Sequence, residues 1–191
     1  MILSRNQIKK KWENKEIQFE PDIKEDQIQL CSINLRVGNT FNITKHKKGH
    51  IINPSLTDSE GLFEEIKSSQ GKVTLKKNDF LLATTHEYIK LPNDLAALVE
   101  GRSTFARYGL SAHITAPLIN PGFYGNIILE IYHHGETEVY LEPTITQICQ
   151  LIFLQVTDSL DQKIVESLSK YKGQKSTTPK PDENNKKISF S

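Results

Sequence analysis

The chain has 191 residues, enough for one good core with a terminal extension beyond it. Its charge is nearly balanced, 24 Lys and Arg against 23 Asp and Glu, so no chain-wide field points to a nucleic-acid polymer or a membrane, and any anion site has to be local. The two cysteines, Cys31 and Cys149, form no CxxC and argue against a zinc site and a disulfide scaffold; with no apolar leader in MILSRNQIKKKW and no apolar run of about 18 residues, a soluble cytoplasmic protein is expected.

SRNQIKKKWENKEI reads as a short helix, with Ser4 as N-cap and Ile8 and Trp12 sharing a face at i, i+4. IQLCSINLRVGNTFNI then alternates, Ile33, Leu35 and Val37 on one side, as a half-buried strand does. Residues 45–72 are polar and broken by Gly49, Pro54, Gly61 and Gly71, which predicts loops with little strand. KVTLKKNDFLLATTHEYIKL gives two strands around a turn at Lys77-Asn78-Asp79, and Pro92 starts a short turn or helix ahead of LAALVEG. From Gly109 to Thr157 come short β runs, LSAHITA, GNIILEIYHH and VYLEPTITQICQLIFLQV, separated by turn residues. Regularly spaced short strands with one or two helices predict a mainly β fold, a barrel or a sandwich, and no solenoid period is visible. The final GQKSTTPKPDENNKKISFS is too poor in apolar residues to offset its ordering entropy. One domain over residues 1–172 and a flexible tail over 173–191 are therefore expected.

EGRSTFARYGL gathers Arg102, Ser103, Thr104 and Arg107 at the end of an apolar run. A strand ending at Gly101 would present backbone N–H groups, hydroxyls and guanidinium to one small volume. Arg matches phosphate oxygens as a planar fork, and hydroxyls and amides fill the remaining lone pairs. The plainer alternative makes Arg102 and Arg107 surface charges, or partners of Glu100. In NIILEIY, Ile127, Leu129 and Ile131 alternate with Ile128, Glu130 and Tyr132, so Glu130 shares a face with Ile128 in a strand apolar on both sides. Lost solvation there favours the neutral carboxyl unless it is paired, and tunes a Glu for proton transfer near neutral pH. An ion-paired or edge-exposed glutamate is the alternative. NPGFYG (Asn120–Gly125) makes a tight turn that lets backbone approach something flat, or else an ordinary hairpin. His133 and His134 are strand neighbours that point to opposite faces, so they are read as a pair without a metal.

VEGRSTFARYGL, HITAPLINPGFYGNIILEIYHHG and SKYKGQ, in that order, resemble the dCTP deaminase family, which shares its fold with the trimeric dUTPases, and CSINLRVGNTF is similar to the family's early strand. The resemblance implies a dUTPase-like distorted β-barrel, jelly-roll-like, with a short N-terminal helix. It implies metal-independent hydrolytic deamination of dCTP to dUTP and ammonia. Glu130 matches the glutamate that activates the water, and Ser103 and Arg107 match the residues that orient the water and the glutamate. Arg102 and Thr104 line the nucleotide site with them, Thr115 and Ala116 lie beside the base, and Asn120, Ile128, Leu129 and Gln150 complete the substrate contacts. Lys170, Tyr171 and Gln174 match a C-terminal segment that contacts the phosphates and closes over the nucleotide. A homotrimer with sites between subunits, Mg2+ riding on the triphosphate, no zinc, and dTTP as a candidate inhibitor are implied as well.

Zinc deaminases carry an H-x-E…P-C-x-x-C set that is absent from this sequence. Without zinc, a carboxylate has to take the proton from water attacking C4 and return it to the departing amine. Two positions depart from the family, Asn120 and Asn34, where Asp is usual. An amide hydrogen-bonds a sugar hydroxyl but accepts no proton as a base. Asn120 therefore argues against cleavage of the triphosphate and leaves deamination open, while Asn34 is read as structural. The alternatives are a dUTPase or a bifunctional enzyme giving dUMP and pyrophosphate, and a nucleotide-sensing regulator without catalysis.

Overall fold

Helix α1 (Arg5–Glu13) starts where the sequence predicts, at Ser4, whose backbone N–H donates to the Gln7 side chain at 2.9 Å. It buries Ile8, with Trp12 packed alongside. The Trp12 indole N–H donates to Asp22 and holds that carboxyl below its ordinary range. The structure, a computed structural model, describes residues 1–45, 61–168, 173 and 177. Strand β1 (Gln18–Glu20) comes next, then a 3-10 turn over Glu25–Gln27, so the strand expected from Ile28 onward begins only at Ile33. That strand, β2 (Ile33–Thr44), is buried on both faces at its start, with Asn34 only 4% exposed. The reason is the turn before it: the Gln27 side chain folds back and donates to the Asn34 carbonyl at 2.9 Å.

β3 (Phe63–Ile66), β4 (Val73–Leu75) and β5 (Phe80–Lys90) follow, then β6 (Leu95–Gly101), helix α2 (Ser103–Arg107), β7 (Leu110–Ser111) and β8 (Leu118–Ile119). The chain continues through β9 (Tyr124–His133), β10 (Val139–Leu141), β11 (Gln147–Gln155) and helix α3 (Gln162–Leu168). Seven strands form one path in the order β7-β9-β5-β2-β11-β6-β8, with every adjacent pair antiparallel. β1 adds to β5, β3 adds to β2, and β4 with β10 makes a separate pair. Register shifts at Val37/Phe41, Thr84/Tyr88 and Gln147/Cys149 bend the long strands into a mainly β, curled sheet. At the first of these bends a Cβ on Gly38 would lie 2.5 Å from Thr84 Oγ1 and 2.9 Å from the Thr85 carbonyl, so only glycine lets β2 and β5 approach this closely. Leu35, Phe41, Leu81, Leu129, Ile131 and Phe153 fill the core.

The structure corrects two expectations, the extent of the LSAHITA strand and the number of helices. The turn at Lys77–Asp79 forms between two strands as expected, with Asn78 at φ 68°, and these strands find different partners. β4 joins β10, where Val73 and Leu75 are buried with Leu141, and β5 lies between β2 and β9. LSAHITA is strand only at Leu110–Ser111, because the Ile114 N–H donates to the Glu130 carboxylate instead of to a ladder partner. Three α-helices form among the described residues rather than one or two; the sequence reading left out α2 and α3. Finally, Cys149 is completely buried, which raises its thiol, while Cys31 is exposed, and both are free.

The expected tail lies outside the described residues except at Gly173 and Thr177. The Gly173 N–H donates to the Tyr124 carbonyl at 2.7 Å, and the buried Thr177 hydroxyl meets the Asn42 side-chain amide. No helix among the described residues is long and apolar enough to cross a membrane.

Candidate active site

β6 ends at Gly101, and the chain turns directly into α2, a helix too short to bury any side chain. Ser103, Thr104 and Arg107 are therefore exposed on it, while Arg102 is half-buried at its N-cap. The Arg102 guanidinium donates to the Gln147 carbonyl and lies 6.0 Å from the centre of the Phe105 ring. Neither arginine pairs with Glu100, whose carboxylate is instead 3.5 Å from the His113 ring. The other ring nitrogen of His113 is buried and has no hydrogen-bond partner among the described residues. Gln150 holds the same junction from β11, donating to the Gly101 carbonyl at 3.0 Å and accepting from the Ser32 hydroxyl at 2.9 Å.

Glu130 lies in the middle of β9, opposite Leu82 of β5. The alternation read from the sequence is present, for Ile127, Leu129 and Ile131 face the core at 4%, 0% and 0% exposure. The opposite face is not an apolar one. Asn126, Ile128, Glu130 and Tyr132 are all half-buried there, so the expectation of a strand apolar on both sides is corrected. That face looks outward in a single chain, and the carboxylate keeps part of its solvent. The Leu129 side chain is sealed in the core, which leaves its backbone as the part that can meet a ligand. β7 covers β9 only at Tyr132 and His133, so along 124–131 that edge of β9 pairs with no strand among the described residues.

Into this gap the Glu130 carboxylate draws the segment between β7 and β8. It accepts the Ile114 N–H at 3.3 Å and so brings the exposed Thr115 and Ala116 beside the open edge. Within one chain no hydrogen bond or ion pair among the described residues joins Glu130 to Ser103 or Arg107. Lys170, Tyr171 and Gln174 lie outside the described residues. His133 and His134 take opposite faces as expected: His133 is fully buried with its Nε2 2.7 Å from the Thr137 carbonyl, and His134 stacks edge-on against Tyr132. Among the described residues no three His, Cys, Asp or Glu side chains converge to hold a metal ion.

Asn120 is exposed at the first position of a type II turn, its carbonyl accepting the Phe123 N–H at 3.2 Å across Pro121 and Gly122. Gly122 has φ +71°, and a Cβ there would lie 2.5 Å from Val165 of α3 and 2.6 Å from the Asn93 side chain. Asn93 in turn donates to the Leu160 carbonyl and to Gln162, so α3 is clamped onto the turn that presents Asn120. Gly122→Ala should cost about 1–2 kcal/mol from the left-handed backbone alone and loosen α3. A lowered melting temperature with faster proteolysis after residue 160 would show both effects.

Sequence reasoning missed Gln147, Ser32, His113 and the Ile114 amide. The signal for Gln147 and Gln150 was two amides inside the apolar run TQICQLIFLQ, where each has to find a partner.

A family model described as dCTP deaminase-like matches residues 2–156. The chain is 40% identical over 163 residues to the "dCTP deaminase, dUMP-forming" of Methanothermobacter thermautotrophicus, covering 84% of this chain and 82% of the relative. It is 38% identical over 178 residues to the "dCTP deaminase" of Haloarcula marismortui, covering 91% of each. In structure it is similar to the 2'-deoxycytidine 5'-triphosphate deaminase of Agrobacterium tumefaciens, with a TM-score of 0.62 at 20% identity over 87% of this chain and 51% of that one. This last likeness is one of fold.

Proposed function

Because the chain belongs to the dCTP deaminase-like family, we propose that it is a hydrolase that deaminates dCTP to dUTP and ammonia in pyrimidine deoxynucleotide metabolism. The observation that carries this reading is the Glu130 carboxylate, half-exposed beside an open strand edge and gripping the segment of Thr115 and Ala116. A cytosine laid along that edge places C4 near the carboxylate. Glu130 takes a proton from water as the oxygen bonds to C4, then delivers it to the exocyclic nitrogen, which leaves as ammonia. The oxygen remains on C4, its second proton passes to N3, and the base becomes uracil. Ser103 and Arg107 hold the water and the developing charge, while Arg102 takes a phosphate. Mg2+ arrives on the triphosphate as part of the substrate.

Ser103 and Arg107 are exposed, and no hydrogen bond or ion pair among the described residues joins them to the Glu130 of their own chain, so the reading includes a homotrimer in which α2 of one subunit completes the site of another. Exposed Tyr108, Ile114 and Leu118, at 66%, 52% and 59%, flank α2 and the Thr115 segment and supply apolar surface for such an interface. Lys170, Tyr171 and Gln174 close over the phosphates, and the site works in the cytoplasm.

A second reading rests on the relatives named dUMP-forming, in which the triphosphate is cleaved as well. Asn120 speaks for the first reading, since an amide is no base. Assaying ammonia and pyrophosphate side by side on dCTP and dUTP separates them. Ammonia from dCTP with no pyrophosphate from either nucleotide is the expected result. Pyrophosphate released in step with ammonia establishes the second reading. Tight dCTP binding without any ammonia overturns both in favour of a nucleotide sensor.

A further inference from the structure

Three adjacent strands share one set of polar contacts that the proposed chemistry does not use. Ser32, immediately before β2, and Asn34, near its start, are 3% and 4% exposed. Each grips a glutamine of β11: the Ser32 hydroxyl donates to Gln150 Oε1 at 2.9 Å, and the Asn34 amide donates to Gln147 Oε1 at 3.0 Å. Each glutamine in turn meets the β6–α2 junction, Gln150 through its amide to the Gly101 carbonyl and Gln147 through its backbone carbonyl to Arg102. The contacts run along the sheet order β2-β11-β6, and the register shift at Gln147/Cys149 turns both glutamines toward the same row. The far end is anchored as well, since Gln27 bonds both the Asn34 carbonyl and Glu87, which is paired with Arg36 at 2.7 Å.

We propose that Ser32, Asn34, Gln147 and Gln150 form a relay of positioning residues that sets Arg102 in place for the phosphates of the nucleotide. The inference rests on the reading above in which Arg102 binds the triphosphate. A free arginine side chain gives up much rotamer freedom when it clamps an anion. Here one guanidinium N–H is already spent on the Gln147 carbonyl, which aims the rest of the fork and leaves the other N–H donors for oxygen ligands. The Asn34 amide fixes the residue that carries that carbonyl, and the bulge makes its position sensitive to that hold. Asn34 thereby acquires a task for its N–H donor that a carboxylate at the same position could not perform.

The test uses the full-length chain with dCTP and with its nucleoside, deoxycytidine. Gln147→Leu should raise KM for dCTP by about three- to tenfold, the scale of one side chain losing preorganisation, with kcat and deoxycytidine binding unchanged. Gln147→Glu retains an oxygen for the Asn34 amide and should restore KM to within about twofold of the parent. In combination with Arg102→Ala, Gln147→Leu should add no further loss. Equal weakening of dCTP and deoxycytidine, full additivity with Arg102→Ala, or an unaltered KM for Gln147→Leu each overturns the relay. If Gln147→Leu does not fold, Ser32→Ala serves, with a rise in KM for dCTP alone expected and no change overturning the proposal. Arg102→Ala itself separates the two levels: unaltered dCTP binding in that variant defeats the assignment of Arg102, whatever the glutamines do.

Discussion

Glu130→Gln should lower ammonia release from dCTP by at least about 10²–10⁴-fold, the usual worth of a positioned acid–base group, while dCTP still binds. The amide keeps an oxygen where the Ile114 N–H is accepted, so the Thr115 segment stays beside the strand edge. What it loses is the capacity to take a proton from water. Glu130→Asp keeps that capacity but withdraws it by one methylene, so its turnover should lie between the two. Single-turnover ammonia release and dCTP binding measured on the same preparations decide the matter. A Gln variant that keeps a tenth of the parental rate removes Glu130 from the chemistry.

The second large effect concerns stability. Glu87 is fully buried and accepts three donors: Arg36 Nε at 2.7 Å, the Arg36 backbone N–H at 2.9 Å and Gln27 at 3.1 Å. Glu87→Leu would strand a guanidinium whose side chain is only 18% exposed, together with the part-buried Arg36 backbone N–H. Breaking such a pair from one side costs about 3–5 kcal/mol, or a fall of roughly 6–20 °C in melting temperature for a chain of this size. Glu87→Leu combined with Arg36→Met should recover much of the loss, because no charge is then left unpaired. Both variants are to be melted at one protein concentration, since assembly would add its own stabilisation. A shift below about 2 °C for Glu87→Leu would show that the pair is not a structural anchor.

The parts of the fold that were legible in the sequence are those written locally. The Ser4 cap with Ile8 and Trp12 needs only one helical turn to be seen, and the alternation of Ile127, Leu129 and Ile131 only one strand. α3 escaped because Val165 is its sole buried residue, leaving Ile164 and Leu168 exposed and no apolar stripe to detect. The outward face of β9 was misjudged because Ile128 resembles a core residue, whereas the layer behind it belongs to Leu129. Pairings of distant segments left no local trace at all. Nothing near Val73 points to Leu141, and nothing near Asn34 points to Gln147, 113 residues further on. For the candidate site, the motif order singled out Glu130, Ser103 and Arg107. The segment that Glu130 holds through a backbone amide has no signature in side-chain identity.

The position of β2 has a consequence for how the protein is made. Its second half pairs with β3 and β5, but its first part, Ile33–Arg36, pairs with β11, which ends at Gln155, and the bridge between Ile2 and Leu154 draws the very beginning of the chain to the same late strand. A nascent polypeptide leaving the ribosome therefore carries the start of β2 without its β11 partner until almost the whole domain has been translated. Such long-range closure is slow and leaves strand edges open to other chains meanwhile. Expression at lower temperature, or with a chaperone that shields unpaired strands, is the regime in which this topology gives its best yield.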